Sequence, residues 1–230
     1  MKYLPILMMC WLCACKSAKS PTLAIDLFNG QNLSGWHWDV PDLDDKPEAA
    51  PPFFVRNGLL VTAGEPGGHL ITDSLMADYR VEFNYRFAAE PGNCGALVHV
   101  SKTRRLYDMF PQSIEVQLKH GEAGDFWCIG EDIKVPHMRK RRGPRKDWGV
   151  DGEKNRRIPN LTGDVEKSVG EWNNMRIEYC KRKIKVWLNG QLVNYGRRAP
   201  KGKGQFALQS EGAEVEFKAI QLSPIKKLTR

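Results

Sequence analysis

The 230-residue chain lacks several features that would have pointed to common fold and function classes. No stretch keeps the 3.6-residue apolar period of a long amphipathic helix, which excludes helical bundles and alternating α/β architectures. The one extended apolar run, at the N-terminus, is too short to span a bilayer. Of six cysteines, three fall within the first fifteen residues. The other three, Cys94, Cys128 and Cys180, are odd in number and show no metal-ligand spacing, so no disulfide framework is expected. At most one bridge can form among them, and no neighbouring motif supplies a base to activate a thiol left over. Positive charge is not spread over a face either. The formal charge is +8, but the stretch 134–157 alone holds ten Lys/Arg against three Asp/Glu, leaving the remainder close to neutral. That localisation excludes a protein built to bind nucleic acid on a basic surface. The basic stretch reads as a solvated loop whose RKRRGPRK core can meet anionic lipid head groups or an acidic ligand.

What is present begins with a leader. MKYLPILMMCWLCAC has an early lysine, an apolar core and small residues before a cysteine, the pattern of an export signal. Leu12-Cys13-Ala14-Cys15 resembles a bacterial lipobox, so the expected processing removes residues 1–14 as a signal peptide and acylates Cys15. Residues 15–22 then form a tether and 23–230 one domain, long enough for a sizeable core. The expected location is the cell envelope, with the lipid anchor as the one membrane contact. The lack of acidic residues after Cys15 favours the periplasmic side. A secreted protein cut after Ala14 is the alternative.

From Phe53 onward, short apolar-alternating segments are separated by Gly, Pro, Asn or Asp: FFVRNGLLVT, HLITD, YRVEFNYRF, CGALVHV, SIEVQLK, MRIEYC, KIKVWLNGQLVN, GQFALQS and AEVEFKAI. Strands at this spacing predict an all-β, antiparallel β-sandwich of jelly-roll type. Asn57-Gly58 and Asn189-Gly190 predict tight hairpins, because both turn residues must take positive φ. The stretch Ile25–Trp38, by contrast, reads as a short apolar piece followed by a loop, and the prolines at 41, 47, 51 and 52 as an ordered surface loop or lid.

Period-2 parity separates core from candidate site. In IEVQLK, Ile114, Val116 and Leu118 share one face and Glu115, Gln117 and Lys119 the other. In NCGALVHV, Ala96, Val98 and Val100 suit the core, leaving Asn93, Gly95, Leu97 and His99 opposite. In QFALQSEG, Phe206 and Leu208 point inward and Gln205, Gln209 and Glu211 outward. A lone polar residue on a sheet is usually structural, so the weight rests on several of them coinciding near Glu115. Trp36 and His37 in the early loop, and Trp127 in GDFWCIG, are candidate sugar contacts, since an indole offers a broad apolar face and an N–H. Alternation lets only one of Phe126 and Trp127 line a cleft; Trp127 is the expected wall, with Phe126 and Cys128 in a dry core. Burial of both rings is the structural alternative.

The order of these pieces resembles the 3-keto-disaccharide hydrolase family, common among lipoproteins of Bacteroidetes and Planctomycetes. The resemblance rests on LFNGQNLSGW, Asn93-Cys94-Gly95 where the family usually has Asn-Ser-Gly, IEVQ, GDFWCIG, VGEWNNMRI, IKVWLNGQLV and LQSEGAEVEFKAIQLSPI. It implies a concanavalin-like jelly roll and cleavage of glycosides whose sugar carries a ketone at C3. The ketone acidifies the C2 hydrogen, so one base can form an enolate and expel the group at C1, with water adding afterwards. On this basis Glu115 is the expected base or metal ligand. His99, His120 or Glu211 stabilises or protonates the enolate, and Asn93, Gln117 and Gln209 orient hydroxyls. A divalent cation can polarise the ketone, but no spacing demands one. Two other classes stay open: a carbohydrate-binding module using Trp36, Trp38, Trp127 and Trp148, and an ordinary endo-glycosidase. The latter needs two carboxylates about 5 Å or about 6.5–9.5 Å apart, for which Glu115 and Glu211 are the pair on offer.

Overall fold

The computed structural model describes residues 24–46, 48–163 and 165–230. The leader, the lipobox-like cysteine Cys15 and the tether lie outside the described residues. Fifteen strands and one short helix follow in order: β1 (Ile25–Asp26), β2 (Trp36–Asp39), β3 (Phe53–Arg56), β4 (Leu59–Thr62), β5 (Gly68–Thr72), β6 (Tyr79–Phe87), β7 (Gly95–Val100), β8 (Ser113–Gln117), β9 (Phe126–Ile129), α1 (Met138–Arg142), β10 (Arg157–Ile158), β11 (Asn173–Cys180), β12 (Lys183–Leu188), β13 (Gln191–Arg197), β14 (Gln205–Ser210) and β15 (Val215–Pro224). They form two antiparallel sheets. The first has the order β13-β12-β11-β6-β15-β4-β3 with β1 beside β15; the second runs β10-β9-β8-β7-β14-β5-β2. The fold is thus an all-β jelly-roll sandwich.

Both Asn-Gly turns take the conformation that their chemistry requires, with φ of 53° and 77° at Asn57-Gly58 and 50° and 83° at Asn189-Gly190. Between the sheets, β6 presents Val81, Phe83, Tyr85 and Phe87 to Val98, Ile114, Val116, Phe206 and Leu208 of the second sheet. Phe83 sits 6.1 Å from Phe206 and 5.9 Å from Phe217, ring centre to ring centre. Each such side chain contributes roughly 1.5–3 kcal/mol by leaving water. The three described cysteines are free and buried, behaving as small apolar residues.

The sheets differ on their outer faces. On the first, Arg80 pairs with Glu178 at 2.7 Å, Arg86 with Glu216 at 2.7 Å and Arg176 with Glu82 at 3.1 Å, with Glu178 and Glu216 buried beneath their arginines. On the second, β5, β7 and β8 are buried on both faces. The cause is the segment 101–112, which folds back over the sheet. Leu106 and Phe110 pack on Ile71, Leu97, Val100, Ala207 and Ile129, and Arg104 ties the segment to Asp39 at 2.6 Å and to Asp44.

Two expectations change. The residues after Gly35 are an edge strand, with Trp36 opposite Thr72 and Trp38 opposite Leu70 of β5, because the unpaired edge of β5 supplies a hydrogen-bonding partner that local composition does not reveal. The basic stretch is only partly a solvated loop: Lys134, Arg139, Lys140, Arg145, Lys146 and Lys154 are exposed, but it contains α1 and leads into β10, and Arg142 within it is buried. Its guanidinium meets Asp132 at 2.6 Å and the carbonyl of Asn155 at 2.7 Å, so one cation of the run organises the segment from inside.

Candidate functional site

Strand register aligns the outward residues of the second sheet into two cross-strand rows. One runs Trp127, Glu115, Leu97, Ala207, Ile71 and His37; the other includes Gln117 opposite Gly95, and Gln209 opposite His69. The covering segment closes the part of this face near β5. What stays open is a pocket of about 130 Å³ lined by Asn93, Phe110, Glu115, Gln117, Trp127, Arg156 and Glu211.

Gly95 shapes its floor. A Cβ there would collide with Glu115 Oε1 and lie 2.9 Å from Gln209 Oε1, so the missing side chain leaves room for both over β7. Asn93 comes alongside through bridges to Glu211 and Gly212, which bring the end of β14 next to the start of β7. Gln117 Oε1 is taken by the N–H groups of Leu118 (3.0 Å) and Lys119 (2.9 Å), leaving only its NH₂ for the pocket. Phe126 and Cys128 are in the core, whereas Trp127 is half-buried on the pocket wall. Arg156 extends its guanidinium over the Trp127 ring at 5.1 Å and the Tyr107 ring at 5.8 Å.

Burial pushes the Glu115 carboxyl up to about 8, the nearby negative charge of Glu211 adds to this, and Arg156 opposes it. Glu211 is raised too, again mainly by burial. The Gln209 amide offsets that rise from nearby but outside hydrogen-bond geometry. Both shifts favour the neutral acid, and Glu115 keeps its proton past neutrality while Glu211 beside it bears the charge that helps raise it. Of the lining residues, Asn93 Oδ1 and Trp127 Nε1 are buried without a hydrogen-bond partner, as are, further along the same outer row towards β5, both polar atoms of Gln209 and both ring nitrogens of His69. Such concentration is uncommon in a purely structural region and suits a site that receives hydroxyl groups. Among the described residues no group of three or more His, Cys, Asp or Glu is arranged to hold a metal ion.

The other candidates are elsewhere. His99 has φ of 58°, and the β14–β7 register slips between Gln205 and Phe206. Parity therefore inverts at His99, and its ring turns inward to stack on Tyr179 at 3.5 Å, with burial lowering it to about 4. His120 lies past the end of β8, partly exposed beside Glu166 at 3.8 Å, and is not part of the pocket lining. Trp36 is a core residue that packs edge-on against Phe206 and donates its N–H to the Leu27 carbonyl at 2.6 Å. His37 is on the edge strand, four strands from β8, paired with Asp73 at 2.7 Å. Trp38 is exposed on that edge, and Trp148 donates to the Gly143 carbonyl at 2.9 Å, so the four tryptophans form no common platform. Sequence reasoning passed over Arg156, hidden in a run read as solvated, and His69, which parity with Ile71 would have placed on the outer face. Burial holds His69 neutral, lowering it to about 3.

No curated protein is recognisably similar in sequence. Among solved structures, a proposed glycosyl hydrolase from Parabacteroides distasonis is 19% identical with a TM-score of 0.60, covering 88% of this chain and 94% of that one. The carbohydrate-binding module CBM66 from Bacillus subtilis is 12% identical with a TM-score of 0.53, covering 82% and 95%. The lumenal domain of VIP36, bound to calcium and Man3GlcNAc, is 10% identical with a TM-score of 0.51, covering 90% of each. At these identities the likeness speaks to the fold. Residues 23–223 match the model of the 3-keto-alpha-glucoside-1,2-lyase-like domain, so the chain belongs to that family.

Proposed function

We propose that this protein cleaves glycosides of 3-keto sugars by elimination, with Glu115 as the base. The observation that carries the reading is a buried carboxyl, raised to about 8, in a pocket with a second raised carboxyl and a cation. A site that only binds sugar has no use for such a pair, whereas a proton-transfer site needs a group poised near the working pH. At about 130 Å³ the pocket is far smaller than a typical ligand site, which suits one reacting ring with the rest of the substrate outside.

In this scheme the ionised fraction of Glu115, which grows as pH rises towards about 8, removes the C2 hydrogen as a proton. The C–H electron pair forms the C2–C3 double bond and the ketone oxygen becomes an enolate oxygen, which Arg156 and the Gln117 NH₂ stabilise. Collapse of the enolate restores C3=O, forms a C1–C2 double bond and breaks the bond from C1 to the glycosidic oxygen. Glu115, now carrying the C2 proton, returns it to the leaving oxygen. Water then adds across C1–C2, returning a proton to C2 and a hydroxyl to C1. Trp127 Nε1 and Asn93 Oδ1 hold ring hydroxyls. The leader and Cys15 add a cell-envelope location, periplasm-facing, to the proposal; lipid labelling lost in Cys15→Ser would support the anchor.

The test is turnover of synthetic 3-keto-glucosides beside unmodified glucosides by wild type and Glu115→Gln protein. The proposal expects cleavage of keto substrates alone and a loss of about 10²–10⁴-fold in the variant. Cleavage of unmodified glycosides would favour an ordinary glycosidase using Glu115 and Glu211. Binding of oligosaccharides without cleavage of either class would favour a binding module.

A further inference from the structure

Trp127 and Arg156 separate the Glu115 pocket from a second cavity of about 390 Å³, whose lining includes Arg141, Arg142, Lys154 and Arg157 and no Asp or Glu. Two of these cations are cancelled locally. Arg142 pairs with Asp132 at 2.6 Å, and Arg157 with Asp125 at 2.8 Å and Glu122 at 3.2 Å. The other three meet no carboxylate at ion-pair distance among the described residues. Arg141 donates to the Pro159 carbonyl at 2.8 Å and to Asn194 Oδ1 at 2.7 Å, Lys154 reaches only the Lys146 carbonyl at 3.4 Å, and Arg156 lies over two aromatic rings. The exposed Lys154 packs its stem against Gly149, where a Cβ would collide with it.

Arg141 and Lys154 face this cavity without an ion pair, Arg156 is shared with the Glu115 pocket, and burial lowers the Arg141 pKa against the pull of Asp125. A neutral sugar does nothing to offset this; an anion does, through charge-assisted hydrogen bonds. The shared wall makes the two cavities adjoining halves of one cleft. We infer that the basic cavity receives the group expelled from C1, and that this leaving group carries an acid function such as a carboxylate. The inference rests on the reading of Glu115 as the base and adds the substrate class to it.

The experiment compares 4-carboxyphenyl with 4-carbamoylphenyl 3-keto-glucosides, which differ in charge but little in shape. The expected result is a kcat/KM about tenfold higher for the acid at low ionic strength, an advantage that shrinks with added salt. Lys154→Gln should lower the acid-to-amide ratio about three- to tenfold, and Lys154→Arg should retain it. Equal kcat/KM for both substrates in wild type, or a preference untouched by salt and by Lys154→Gln, would overturn the inference while leaving the proposed reaction standing. Cleavage of neither would remove the proposed reaction and the inference with it.

Discussion

Glu115→Gln separates the stability role of the site from its chemistry. In the folded protein the carboxyl is raised from 4.5 to about 8, so between these values the native state keeps a proton that the unfolded chain has lost. Burial of Glu115 therefore costs stability progressively as pH rises through that window, and costs least below pH 4.5. The full shift corresponds to about 5 kcal/mol, an upper bound because part of it comes from the neighbouring charge of Glu211 and not from burial. Gln keeps the shape and removes the titration. Any penalty for burying its amide is the same at every pH, so it moves the whole curve without tilting it. For a domain of this size about 1 kcal/mol shifts Tm by about 2–4 °C. The variant should therefore gain several degrees on wild type between pH 5 and pH 8 while its activity collapses. Thermal unfolding at half-unit pH intervals checks this. Parallel Tm curves for the two proteins would refute the claim that the Glu115 pocket is dry enough to hold a carboxyl protonated.

Gly95→Ala places a methyl against the Glu115 carboxyl, a flexible side-chain end, so stability should fall by about 1–3 kcal/mol while turnover falls much further; kinetics beside urea unfolding compare the two. Trp127→Ala should weaken substrate binding by about 1–3 kcal/mol with little loss of Tm, whereas a large Tm loss would show the indole to be core packing. His99→Ala should cost about 3 kcal/mol of stability by emptying the stack on Tyr179, with kcat retained; a selective loss of kcat would return His99 to the chemistry.

The strands were legible because jelly-roll sheets alternate strongly: YRVEFNYRF sorts its core and solvent faces residue by residue, and the Asn-Gly turns mark their own hairpins. The convergence of Glu115, Gln117, Trp127, Gln209 and Glu211 on one outer face followed from the same parity. It failed at His99, where a positive φ and a register slip invert the faces, an event that depends on the partner strand and leaves no local signature. Trp36 and His37 were misplaced because the pairing of β2 with β5 joins residues far apart in sequence. The basic stretch misled because charge density suggests solvation, whereas Arg142 turns inward to a carbonyl of the segment and to Asp132 just before it. Arg156 becomes visible only when that segment is laid beside β9.

The central claim, that cleavage begins with removal of the C2 hydrogen by Glu115, is tested most directly by running the reaction in D₂O and locating the isotope in the product by NMR. Elimination followed by hydration places deuterium at C2 of the released 3-keto sugar, and Glu115→Gln should lose incorporation together with cleavage. A product cleaved at the wild-type rate with hydrogen retained at C2 would contradict the mechanism.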